Sequence, residues 1–171
     1  MKKLLAGISD RLGSFITQRD DLALVVSSAP TDAPALTKIL EGLEAESSSD
    51  LFWICTQDFT TAQEYATAVV KGFFTKHTLM QVVMEKEGLV PWPPIPSNIV
   101  SEDSPPASRL RALTAFSREL LPVPNGGKSV WIFYPLQISD HGGYAAFMDD
   151  LLAKRTTAEQ LGTPYAVQSC T

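Results

Sequence analysis

Leu22-Ala23-Leu24-Val25-Val26-Ser27-Ser28-Ala29-Pro30-Thr31-Asp32-Ala33-Pro34-Ala35 is the stretch that decides the fold class. Its first six positions are a short, continuous apolar and β-branched run, the pattern of a strand covered on both faces. Ser28 to Asp32 are small, polar or proline and read as a loop. Pro34 fits the first turn of a helix, where its missing N–H costs nothing. Leu36, Ile39, Leu40 and Leu43 then recur at three- and four-residue spacing, giving a helix to about Glu44 one inward face.

The same alternation continues outward from this block. Leu51–Cys55 reads as a second strand, and Ser129–Tyr134 (Ser-Val-Trp-Ile-Phe-Tyr) as the strongest one. Between them the spacing predicts helices over Thr61–Phe74 and Leu79–Glu87, with a break near Gly72 and Thr75–His77. Tyr65, Val69, Phe73, Val82 and Val83 are expected on the core side. A further helix is expected over Ser108–Leu121 and another from Asp140 to Lys154. Asn125-Gly126-Gly127 is a turn, a short helix ends near Gly162, and Tyr165–Gln168 is a last strand. Strands alternating with helices imply a three-layer α/β/α arrangement around a mostly parallel sheet. The 171 residues suit one such α/β domain, 1–171.

Two segments stand apart from this repeat. Residues 2–18 form an amphipathic helix through Leu4, Leu5, Ile8, Leu12, Phe15 and Ile16. Residues 88–106 carry Pro91, Pro93, Pro94, Pro96, Pro105 and Pro106 and read as a proline-rich loop or arm.

Charge and composition exclude several functions. The net charge of -5 leaves no basic field for nucleic acid. The apolar runs are too short to insert across a membrane, and the Met1–Gly7 start turns polar at Ser9, Asp10 and Arg11 before any leader core forms. A cytoplasmic protein is expected. Two cysteines, Cys55 and Cys170, make no disulfide framework.

The block Leu22–Leu43 resembles the opening of a P-loop nucleoside-triphosphatase domain, in which a strand feeds a glycine-rich loop and then a helix. In spacing and hydrophobic pattern the two agree; in chemistry they differ. Ala33 and Pro34 stand where that family has its last glycine and its phosphate-binding lysine, and Ala35 replaces the magnesium-binding hydroxyl. Val130–Tyr134 resembles the later strand that ends in a magnesium-holding acid, yet here Tyr134 and Pro135 close it. The resemblance implies a degenerate P-loop-like scaffold, a pseudoenzyme with no nucleotide or metal cofactor.

Other chemistry has thin support. His77 and His141 are the only histidines, and with Cys55 and Asp58 they show no metal-ligand spacing. His77 reads as a surface residue and His141 as a helix-start or loop residue. Asp32 and Asp140 read as helix caps. Cys55 ends a strand, where α/β sheets place functional groups. A cysteine-dependent hydrolase or transferase using Cys55 with a histidine base is therefore one alternative, and nucleotide binding without hydrolysis is another.

The leading expectation is a non-catalytic protein-interaction module that meets a protein partner or another copy of itself. Trp92, between Pro91 and Pro93, with Ile95 nearby, is a pre-stiffened aromatic anchor that docks either on its own domain or on a partner. Phe15 on the amphipathic helix and the loop after Tyr134 complete the expected surface. Trp53 and Trp131 are expected in the core.

Overall fold

The computed structural model describes residues 2–17, 23–27, 32–47, 49–121, 127–153 and 165–169. The elements are α1 (Lys2–Thr17), β1 (Ala23–Ser27), α2 (Ala33–Glu46), β2 (Leu51–Cys55), α3 (Ala62–Lys86), α4 (Ser97–Val100), α5 (Pro106–Phe116), a 3₁₀ turn (Ser117–Leu120), β3 (Ser129–Phe133), α6 (His141–Ala153) and β4 (Tyr165–Ser169). The chain is thus mixed α/β. Residues 28–31 of the strand-to-helix loop, Asn125 and Gly126, the short helix expected before Gly162, and Cys170 lie outside the described residues. Contacts group the chain into two compact units.

The first unit comprises Met1–Thr56, Leu121–Leu136 and Ala158–Thr171. Its sheet has the order β1-β4-β3-β2, and every neighbouring pair is parallel. Parallel neighbours require crossovers, and α2 carries the chain from β1 at one edge to β2 at the other. Alternate strand residues supply one core. Phe52, Val130, Ile132 and Tyr134 pack with Leu12 of α1 and Leu36 and Leu40 of α2, and Leu24, Val26 and Ile54 join them partly buried. Trp53, Trp131 and Phe133 occupy the alternate positions of β2 and β3, which point the other way. There Trp53 and Trp131 are register partners whose rings stack at 5.6 Å, and Phe133 stacks on Trp131 at 6.0 Å.

Asp50 closes the amino-terminal edge of this sheet. Its carboxylate accepts from the Ser47 hydroxyl at 2.9 Å and from the Lys128 amide at 2.8 Å, and its own amide donates to the Ser47 hydroxyl at 3.1 Å. The Lys128 carbonyl takes the Leu51 amide at 2.8 Å. One side chain therefore joins the α2–β2 turn to the entry of β3.

The second unit comprises Gln57–Leu120 and Gln137–Thr157. Among its described residues the regular structure is helical apart from a parallel bridge between Phe59 and Ile138. Phe59, Tyr65, Tyr144 and Phe147 form an aromatic cluster with ring centroids 5.0 to 6.3 Å apart, mostly tilted or edge-on, the arrangement that ring quadrupoles favour. Arg109 is buried in α5 and donates to the Ile99 carbonyl at 3.3 Å and the Thr67 hydroxyl at 3.0 Å, tying α4 and α5 to α3.

Helix α3 corrects the sequence reading in three ways. It runs unbroken for 25 residues through the expected break. Thr75 and Thr78 satisfy their hydroxyls within the helix, donating to the carbonyls of Lys71 and Phe74 at 3.0 and 2.9 Å. His77 is not a surface residue but only 6% exposed, because its ring sits among aromatic side chains. Val82 and Val83, expected inward, are 46% and 48% exposed. At about 100° per residue, Val82 lies half a turn round the helix from the buried Phe73.

Candidate interaction site

The carboxyl-terminal half of α3 and the segment after it hold the least expected surface of the molecule. Of the eight exposed large hydrophobic residues identified among the described residues, six fall between Phe74 and Val90. That concentration is unlike the scattered single exposures of an ordinary surface. Leu79, Val82 and Val83 are spaced at three and four positions and share the outward side of the helix. Beyond the helix end, Leu89 and Val90 are exposed as well, Val90 at 84%.

The start of α3 is fixed by Thr61, whose hydroxyl accepts from the Glu64 amide at 3.2 Å. Its end is a Schellman motif. The Leu89 amide bonds the Met84 carbonyl at 2.8 Å and the Gly88 amide bonds the Glu85 carbonyl at 3.2 Å. Gly88 has φ +67°, the left-handed conformation that glycine adopts without a Cβ penalty. This cap sets the direction in which the proline-rich arm leaves.

The arm does not stay extended to its end. Ser97–Val100 coils into α4, and Pro106 opens α5 as a first-turn proline. Before α4 the arm lies on α3. The Trp92 ring is 5.6 Å from that of His77, Gln81 Nε2 donates to the Trp92 carbonyl at 2.5 Å, and His77 Nε2 bonds the Pro93 carbonyl at 2.9 Å. A carbonyl oxygen only accepts, so Nε2 carries the proton there. Trp92 and Ile95 are both half-buried. Trp92 thus docks within its own unit while keeping part of its surface in solvent.

The other residues singled out from the sequence divide between the units. Phe15 is 3% exposed, so its ring is not on the surface. Cys55 is 5% exposed and its thiol points to the Trp53 carbonyl at 3.8 Å, the setting of a packed thiol. Asp58 accepts from the Gln137 amide at 3.1 Å. Asp140 caps α6 by accepting from the Gly143 amide at 2.9 Å, and the exposed His141 is the first residue of that helix. Asp32 sits at the N-cap of α2 without a side-chain capping hydrogen bond. Trp53 and Trp131 are buried, and Leu136, in the loop after Tyr134, is exposed.

Among the described residues no group of three or more His, Cys, Asp or Glu side chains is placed to hold a metal ion, and no helix is long and apolar enough to cross a membrane. Comparison with protein-family models, curated proteins and solved structures found no match to this chain.

Proposed function

We propose that this chain is a protein-interaction module without catalytic chemistry of its own, acting in the cytoplasm as part of a larger assembly or signalling system. The observation that carries this reading is the outward apolar face of α3, Leu79, Val82 and Val83, followed by the exposed Leu89 and Val90. Exposed β-branched and leucine side chains grouped on one helix face cost free energy in water and gain it when a partner covers them. The acidic balance of the chain favours a protein partner over nucleic acid.

The scaffold in this reading is a three-layer, P-loop-like sheet that has lost its phosphate chemistry. Support comes from the parallel pairing of neighbouring strands and from Pro34 in the first turn of the helix that follows β1 in the chain. Proline there supplies neither a cationic side chain nor an N–H.

The test is co-purification from cells of wild-type chain and the Val82→Asp variant, side by side. A carboxylate at the centre of the face is expected to abolish capture of a stoichiometric protein partner, since an unpaired charge at a buried interface is strongly disfavoured. Equal capture by both chains would remove α3 as the contact surface.

A further inference from the structure

We propose that the aromatic groove formed by Phe73, His77, Gln81 and Phe116 is a binding site for a proline-rich segment of another protein, and that this chain's own arm holds it shut. This inference goes beyond the reading above. It concerns the side of α3 that carries Phe73 and His77, not the outward face of Leu79, Val82 and Val83.

The occupant is identified by what is seated there now. In Pro91-Trp92-Pro93-Pro94-Ile95-Pro96 every position is a proline or precedes one, so the segment is confined to extended, polyproline-like backbone before it docks. Its prolines donate nothing, and what such a segment offers is carbonyl oxygens and ring surface. The groove answers both. Gln81 and His77 donate to two consecutive carbonyls, those of Trp92 and Pro93, at 2.5 and 2.9 Å. His77 faces the Trp92 ring at 5.6 Å, with Phe73 and Phe116 each 6.2 Å from the imidazole. Side-chain donors beside an aromatic wall are how proline-rich peptides are recognised between molecules.

The arm is a strap and not a core segment. Leu89, Val90, Pro91, Pro94 and Pro96 are exposed, and Trp92 is only half-buried. Its two ends are fixed: the Gly88 cap holds one, and the bond from buried Arg109 to the Ile99 carbonyl holds the other. A strap tied at both ends can lift from the groove, but it cannot reach into a second copy without pulling α4 from α5. The occupant that replaces it is therefore a segment of a different chain carrying the same proline–aromatic–proline–proline chemistry.

The experiment uses the full chain and a fluorescein-labelled peptide, Val-Pro-Trp-Pro-Pro-Ile-Pro, read by fluorescence anisotropy. In the wild type the tethered arm competes at an effective concentration in the millimolar range. Loosening it by Trp92→Ala, or by the pair Pro93→Gly and Pro94→Gly, is expected to tighten peptide binding by about tenfold or more. Adding Gln81→Ala to either loosened chain is expected to weaken binding again by about tenfold, for one lost hydrogen bond and its groove contact. Leu79→Asp is expected to leave peptide binding unchanged, so this proposal and the partner face of α3 fail separately. The proposal is overturned if both loosened chains, folded by circular dichroism, bind the peptide no better than the wild type. It is equally overturned if they dimerise by light scattering without peptide, which would assign the groove to a second copy.

Discussion

The main-chain amide of Lys128 donates to Oδ1 of Asp50 at 2.8 Å, joining positions 78 residues apart at the edge where β2 and β3 begin. The same carboxylate holds Ser47, so it fixes a turn and a strand entry together. Asp50→Ala leaves the Lys128 amide and the Ser47 hydroxyl without this partner and is expected to cost about 1–3 kcal/mol. Asp50→Asn, which keeps a carbonyl oxygen, is expected to cost less. Urea unfolding of the two variants checks the order, and equal losses would deny the carboxylate its bridging role.

Gly127 lies beside that bridge. A Cβ built there overlaps the backbone carbonyl of Ser49, and backbone cannot swing aside as a side chain can. Gly127→Ala is therefore expected to destabilise by about 1–3 kcal/mol, in the range of overpacking substitutions. A melting temperature unchanged from wild type would contradict this close approach.

His77 carries the arm, and its replacement separates packing from docking. His77→Ala removes the bond to the Pro93 carbonyl and the ring between Phe73 and Trp92, at an expected cost of about 2–3 kcal/mol. Trp53 and Trp131 are buried, so added acrylamide quenching in this variant reports Trp92 alone. Quenching is expected to rise. If it stays at the wild-type level while the protein is folded, the arm is held by something other than His77.

Nucleotide binding provides a separate check. Pro34 and Ala35 stand in the first turn of α2, where a phosphate site needs a cation and a hydroxyl. Calorimetry with ATP or GTP, with and without magnesium, is expected to show no saturable heat. Tight magnesium-dependent binding would contradict the view of a scaffold without phosphate chemistry.

The strands were legible because their signal is local. Leu51–Cys55 matches the expected bounds, and Ser129–Phe133 differs from the expectation by one residue, since a continuous apolar run between turn residues has few other readings. The order β1-β4-β3-β2 was not legible, because the choice of neighbour is made by crossovers and not by strand composition. Most helices were found, although α3 is one helix where two were expected and α4 coils within the expected loop, and their facing was harder to read. Val82 and Val83 continue an apolar period and so resemble core, yet the half-turn offset of Val82 from Phe73 was already present in the numbering. His77 was misread because a histidine after Lys76 looks solvated. Only the fold brings Trp92 and Phe116 to its ring. Phe15, expected on an interaction surface, is buried like His77, since an amphipathic stripe alone does not say whether its apolar side meets the chain itself or a partner.

The claim that α3 presents a face for a partner, and not one needed by the fold, is tested most directly by equilibrium urea unfolding of the double variant Leu79→Asp, Val83→Asp. Surface substitutions usually change stability by about 0.5 kcal/mol or less each and aspartate adds some tenths in helix propensity, so the isolated chain is expected to remain within about 2 kcal/mol of wild type. A loss of several kcal/mol would show that these side chains belong to the core and would contradict the account.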